Sequence, residues 1–558
     1  MGKYIQDIYP NKAQFLEGEE VEIVIELSKD LDIDLIDINI TITKLEEIYM
    51  NINKDLHIDN NCDVVIKLNN SFPCGGYGVD VNIHSDNMEY EKLSTAFDVV
   101  SNFLDSPRYG FLSEFNDEDI LDDQDILYMK KLHINMVQFY DWMYKHEELV
   151  SEHSKYVDLM GKSISKDAII NKINLCHKNG MKAIAYGAIY ASSTDFYENH
   201  KEWALYNSND KPITFIDVFY IMNIHRTCPW HQHIIDQYEK TITNLNFDGI
   251  HMDTYGFPKK GYSKVNNNNE LIYLEEHFGE LINDTKAKLQ QIKEDVALIF
   301  NNVGNWPVYS TANANQDVVY VEVWDPYYSY NHIREIIMQA RNITNKPIIL
   351  AAYLKPFMEE SQEKAGYALR LLTASIVANG GYHLIMGEEK GVLTQGYYVD
   401  YYKMNDNIAN VMRKYYDFIV RYSDIFFDQS LIDVTMTHCY GDNMEYQFEG
   451  NEFSATADSN KIWTIIKENN CRKVISLINL LGNDINWNKG KVKPNEASKI
   501  EIKMQLERNV KNVYIISPEN AKPQEIEFEI ISNIRENILV LKLCKIDLWT
   551  VIVVNLCN

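Results

Sequence analysis

Three acidic side chains stand where short apolar runs end. Gly249-Ile250-His251-Met252 runs into Asp253, Val318-Val319-Tyr320-Val321 into Glu322, and Asn135 to Tyr140 into Asp141-Trp142. Aromatic residues sit beside each of them, with Tyr255, Trp324 and Trp142 within two positions. Two carboxyl groups facing a sugar suffice for glycoside hydrolysis. One attacks the anomeric carbon or activates water, and the other protonates the leaving oxygen. Glu322 is hard to explain otherwise, because a carboxylate inside an apolar run is costly unless partnered or used. A strand-end Asp, taken singly, serves as readily as a helix cap or turn former. On the residues alone, retaining and inverting chemistry both stay open.

Such side chains need a scaffold that aims strand ends at one point. Residues 106–425 alternate short apolar runs with longer helical patterns, the signature of βα units. Eight runs fit strands, at 108–112, 135–140, 182–186, 249–253, 297–301, 318–322, 347–353 and 381–386. Between the second and third, Ile169, Ile173 and Cys176 share one helix face that stops at Asn179-Gly180. The pattern predicts a (β/α)8 TIM barrel, whose catalytic side chains lie at the C-terminal ends of its strands. Residues 1–105 alternate as in Val21–Leu27 and Ile36–Ile42, with a turn at Cys74-Gly75-Gly76. They read as an N-terminal immunoglobulin-like β-sandwich. Residues 426–558 return to strand-like runs at 463–467, 473–478 and 538–541, and read as a C-terminal antiparallel β-sandwich.

The charge balance narrows the partner. Over 558 residues, 53 Lys+Arg face 81 Asp+Glu, a net charge of −28. That excludes nucleic acid or an anionic membrane, which a basic face would bind. It suits a neutral ligand such as carbohydrate, as do aromatic residues at 12%. Rings and polar groups at or beyond the strand ends are the candidate sugar-binding set: Tyr140, Asp141, His146, Tyr186, Tyr190, Trp306, Trp324, Asp325, Tyr353 and His383. No GxGxxG follows a strand, so no redox cofactor is expected, and two-carboxylate chemistry needs no metal. The acidic stretch 116–123 reads as a solvated loop and helix start. The eight cysteines show no zinc spacing and read as free, buried small apolar residues. The N-terminal residues carry no hydrophobic signal core.

Several short motifs follow one another in a recognisable order. They are Pro107–Phe111, Gln138–Trp142, Ala185-Tyr186 through Ile189–Ala191, Asp253-Thr254 with Gly256, Glu322–Trp324, Ala351–Tyr353 and Gly380–His383. Together they resemble family 66 of the glycoside hydrolases, which comprises dextranases and cycloisomaltooligosaccharide glucanotransferases. The resemblance implies an endo-acting enzyme on α-1,6-glucan (dextran) that yields isomaltooligosaccharides with retention of configuration. Asp253 then corresponds to the nucleophile and Glu322 to the acid/base. In the glucanotransferase branch a further carbohydrate-binding domain is inserted in the barrel, and no segment of 106–425 is left over to form one. The expectation is therefore a dextranase, with the cyclising glucanotransferase and a non-catalytic glucan-binding protein as alternatives. Dextran cannot enter a cell intact, so secretion is expected.

Overall fold

A computed structural model describes residues 5–28, 35–57, 63–68, 71–85, 88–267, 269–532 and 534–557. Its centre is a parallel sheet of eight strands: β1 (Tyr109–Leu112), β2 (Met136–Phe139), β3 (Lys182–Ala188), β4 (Gly249–Asp253), β5 (Ala297–Val303), β6 (Val318–Glu322), β7 (Ile348–Ala351) and β8 (Tyr382–Leu384). Each strand pairs with its sequence neighbour, in unbroken order from β1 to β8. The sheet closes through a parallel bridge between Phe111 and Gly387. A Cβ on Gly387 would stand 2.3 Å from the Phe111 carbonyl oxygen, so only glycine lets the backbones meet at this seam. The barrel expected from the apolar runs is present, and the structural strands fall within two residues of the predicted ones.

The helices between strands use their termini to set strand entry. Lys166–Lys178 buries Ile169, Ile173 and Cys176 and ends at Asn179, with Gly180 at φ +68° turning the chain into β3. Pro229–Leu245 ends on Asn246 in the left-handed conformation, which turns the chain toward β4 and so fixes where Asp253 emerges. The acidic stretch 116–123 forms the predicted loop and helix start, but part of it is anchored. Lys172, a buried lysine of the next helix, is held 3.2 Å from Asp122 and 2.9 Å from Asp125.

Two β-sandwich units flank the barrel. The first packs a three-stranded sheet (Ile5–Pro10, Val21–Leu27, Val64–Leu68) on a five-stranded one. Its core includes Ile23, Ile40, Tyr77, Val79 and Phe97. Gly75 begins a strand here rather than closing a turn. The last unit packs a seven-stranded sheet on a four-stranded one over Ile462, Ile475, Ile502, Leu541 and Ile552. Buried ions tie the first sandwich to the rest. Arg108 at the head of β1 meets Asp98 at 2.8 Å, and Arg421 meets Asp80 at 3.1 Å.

The cysteines depart from expectation. Cys176 and Cys228 are buried, but Cys74, Cys471, Cys544 and Cys557 are exposed, and Cys62 lies outside the described residues. Apolar burial therefore explains only some of them. Among the described residues, no helix is long and apolar enough to cross a membrane.

Candidate active site

Strand alternation decides which side chains meet at the top of the barrel. Side chains two apart share a face. His251 and Asp253 of β4 therefore point inward together, as do Tyr320 and Glu322 of β6. The lower pair builds a floor, where the Tyr109 hydroxyl lies 3.2 Å from His251 Nδ1 and the Tyr320 ring meets His251 edge-on at 4.7 Å. Burial pushes the His251 imidazole down to about 3, so it is neutral at physiological pH.

Above that floor, Asp253 and Glu322 face one cavity of about 380 Å³. Asp253 is only 9% exposed. Its Oδ2 accepts from the Tyr186 hydroxyl at 2.7 Å and its Oδ1 from Asn301 Nδ2 at 2.7 Å. The Tyr353 hydroxyl donates to Glu322 Oε1 at 2.6 Å. Asn301 Nδ2 also lies 3.2 Å from Glu322 Oε2. One nitrogen thus touches both carboxylates, and the two oxygens it touches can be no farther apart than those legs laid end to end, about 6 Å. Carboxyl groups ~5–5.5 Å apart suit retaining chemistry, whereas inverting enzymes leave ~6.5–9.5 Å for a water.

The two carboxyls share a low-dielectric site. Burial raises both above the usual range, and the charge on Glu322 helps to lift Asp253 to about 7. Such a pair titrates as a unit, because the charge on one carboxyl disfavours ionisation of the other.

Asp141 is a third buried carboxyl on the wall. It is 8% exposed and sits at φ +48°, a left-handed conformation unusual for a non-glycine residue. Burial raises it to about 7, and no hydrogen bond to its side chain is present among the described residues. Among the described residues other wall atoms also lack a partner: Gln138 Oε1, His146 Nδ1, Tyr255 Oη and Asn301 Oδ1 are buried and unsatisfied. Buried polar atoms are normally paired. All four belong to residues that line this one cavity.

Of the residues expected to bind sugar, Tyr140, Asp141, His146, Tyr186, Trp324 and Tyr353 line the cavity. Four do not. The Tyr190 hydroxyl is committed to the loop after β4, donating to Phe257 O and accepting from Tyr255 N. His383 is enclosed beneath the site, with Nε2 3.3 Å from Ala352 O. Trp306 donates to Glu275, and the Lys259 ammonium covers one ring face at 3.4 Å. Asp325 points to solvent beyond the rim. Proximity to a strand end does not separate side chains that turn inward from those that turn away.

The sequence reading also missed wall residues. Asn301 lies two residues before the end of β5, and a search for ionisable strand ends passes over an amide. Gly396, Tyr397 and Tyr398 come from the loop after β8. The Tyr398 ring stacks on Tyr140 at 4.4 Å, and its hydroxyl lies 3.0 Å from Tyr320 and 3.3 Å from Tyr353.

Residues 10–553 match the model of glycosyl hydrolase family 66. The chain belongs to that family. The likeness drawn from the ordered motifs is thus confirmed at family level. Two cycloisomaltooligosaccharide glucanotransferases of Niallia circulans are each 23% identical to it. One alignment covers 78% of this chain and 60% of that relative, the other 93% and 68%. This chain therefore spans well short of their full length. In fold it is similar to a cycloisomaltooligosaccharide glucanotransferase from Paenibacillus sp. complexed with cycloisomaltoheptaose, with a TM-score of 0.87, 20% identity and 99% of each chain covered. An alpha-amylase from Geobacillus thermoleovorans shares the barrel more distantly, at a TM-score of 0.51, 9% identity and 82% of this chain covered against all of its own. Membership in family 66 makes the chain a glycoside hydrolase family enzyme with a TIM barrel.

Proposed function

We propose that this family 66 enzyme cleaves internal α-1,6-glucosidic bonds of dextran-type glucans by double displacement. The observation that carries the reading is Asn301 Nδ2 within hydrogen-bonding reach of both carboxylates. In the first step an Asp253 oxygen attacks C1 of the bound glucosyl unit. The bond from C1 to the leaving 6-oxygen breaks, and that oxygen takes the proton of Glu322. In the second step Glu322 removes a proton from the acceptor, whose oxygen attacks C1 and frees Asp253. Two inversions leave the product in the α configuration. Asp141, Gln138, His146 and Tyr255 offer polar atoms for the sugar hydroxyls.

The acceptor decides between the two activities of the family. Trp324 is 38% exposed beside Glu322, its ring 5.6 Å from Tyr353. An open indole beside the acid/base gives an incoming sugar a face to stack on and favours it over water. Both Niallia circulans relatives carry the glucanotransferase name. These observations favour cyclising transfer over the dextranase expected from the sequence. Chromatography of a dextran digest tests this. Cyclic isomaltooligosaccharides, lacking a reducing end, are the expected main products. Linear reducing oligosaccharides alone would return the enzyme to the dextranases, and an unchanged polymer would leave a glucan-binding protein. A polymer substrate of this size places the proposed reaction outside the cell.

A further inference from the structure

At the opposite end of the barrel, where β7 and β8 begin, lies a second cavity of about 240 Å³. Arg341, Asn379 and Gly380 reach it from the barrel, and Lys467 from the strand Ile462–Glu468 of the C-terminal sandwich. Arg341 Nη2 donates to Gly380 O at 3.0 Å, while its Nε is buried without a partner among the described residues. A Cβ on Gly380 would stand 2.2 Å from Arg341 Nη2 and 3.3 Å from Lys467 Nζ. The two cationic heads therefore flank one small space and repel each other across it. Lys467 is 7% exposed, and no side-chain hydrogen bond or ion pair to it is present among the described residues.

The neighbouring charges are already committed. Asp433, on the same wall, is engaged by Arg334 at 3.0 Å. The Asp105 carboxylate accepts from Ser101 and from the Asn102 N–H. The Lys346 ammonium is spent on the carbonyls of Ala312 and Ala314. Asp433 is thus the shared counter-charge of Arg334, Arg341 and Lys467, three cations to one carboxylate, in a chain of net charge −28. Burial and the nearby Arg341 push the Lys467 ammonium down to about 7, a cost that an anion in the cavity would reverse. Asn379 adds an acceptor, its Oδ1 also buried and unpartnered.

We propose that this cavity binds phosphate, either as the free ion or as the phosphoryl group of a small metabolite. Arg341 Nε and Lys467 Nζ donate to its oxygens, and Asn379 Oδ1 accepts the P–OH hydrogen of the free ion, or of a phosphoryl group held as its monoanion. Chloride offers no donor to Asn379, and sulfate has none at neutral pH. Charge-assisted hydrogen bonds to phosphate are the strong ones. The bound ion would bridge the barrel to the C-terminal sandwich, far from the reacting carboxylates, and so would act on stability and leave the chemistry unchanged.

The test is thermal unfolding of the full chain in inorganic phosphate, sulfate and chloride at matched ionic strength and pH 7. Phosphate is expected to raise Tm with the logarithm of its concentration once above Kd, sulfate less, and chloride only as a general salt effect. Lys467→Met should raise the phosphate Kd fitted to these shifts ~10-fold or more while leaving kcat on dextran unchanged. Lys467→Gln is the second variant should the first fold poorly. Asn379→Leu should abolish the preference of phosphate over sulfate. Glucose 6-phosphate giving a lower fitted Kd than phosphate would assign a phosphorylated metabolite, and the reverse order the free ion. No rise in Tm with phosphate beyond that with chloride, or the same response in both Lys467 variants as in the parent, overturns the proposal.

Discussion

Nδ2 of Asn301 lies 2.7 Å from Oδ1 of Asp253. The same nitrogen reaches Glu322, so one amide holds the proposed nucleophile at a fixed distance from the proposed acid/base. A hydrogen bond to a charged group contributes ~1.5–3 kcal/mol. Asn301→Ala is therefore expected to lower kcat on glucan by ~10–100-fold with little change in Tm, and steady-state kinetics with a melting curve check it. Normal kinetics in that variant would remove Asn301 from the machinery.

The pH profile should report the coupled pair. Turnover needs one proton on it: Asp253 ionised and Glu322 protonated. Both groups are raised by burial, with Asp253 near 7. kcat/KM should be bell-shaped, with its alkaline limb above the usual carboxylate range, where the shared proton is lost. Glu322→Gln should lose that alkaline limb when assayed on an α-isomaltosyl fluoride, which needs little acid assistance. An unchanged limb in that variant would assign it to another group.

A buried carboxylate costs stability. The Asp253 carboxyl is raised from 3.8 to about 7, so the folded state holds its proton more tightly than the unfolded state. Stability then falls as pH rises through that window and is lowest above it. Asp253→Asn removes the charge, and the Tyr186 hydroxyl can reverse to accept from the new amide. The variant should be inactive yet more stable than the parent at pH 7–8, by ~1–3 kcal/mol, with the difference vanishing below about pH 4. Melting curves across this range check it, and a variant that is less stable at pH 8 would contradict the assignment of a buried charge.

Gly396 guards the space beside the acid/base. A Cβ there would stand 3.1 Å from Glu322 Oε1 and 3.3 Å from the Trp324 ring. Gly396→Val should displace both and lower kcat/KM by ~10²-fold, while Gly279→Ala, on the helix Phe278–Leu289 where a Cβ meets only ordinary contacts, should leave KM untouched. Equal kinetics for Gly396→Val and the parent would show that Glu322 has room to spare.

The barrel was legible because each strand is a short apolar run between polar turns, and a parallel strand buried on both faces must read that way. Of the two carboxylates, Glu322 stood out because it lies inside an apolar run, whereas Asp253 could equally have been a cap or turn former until the ordered motifs singled it out. What escaped depends on direction and on distant loops. Trp306 and Tyr190 lie as close to strand ends as Tyr186 does, yet hydrogen bonds to Glu275 and Phe257 turn them away from the cavity. Tyr398 enters from beyond the last strand, and only barrel closure brings its ring onto Tyr140. The exposed cysteines were misread because composition does not say that Cys74, Cys471 and Cys557 fall in loops, or that Cys544 takes the outer face of an inner strand.

The account turns on a covalent bond between Asp253 and a glucosyl unit. The direct measurement is mass spectrometry of peptides after reaction with a 5-fluoro-α-isomaltosyl fluoride, whose ring fluorine slows breakdown of the intermediate. The account predicts one sugar adduct, on the peptide containing Asp253, lost when the enzyme is then given an isomaltooligosaccharide acceptor. An adduct on another residue, or no adduct together with β-configured initial products from dextran, would contradict it.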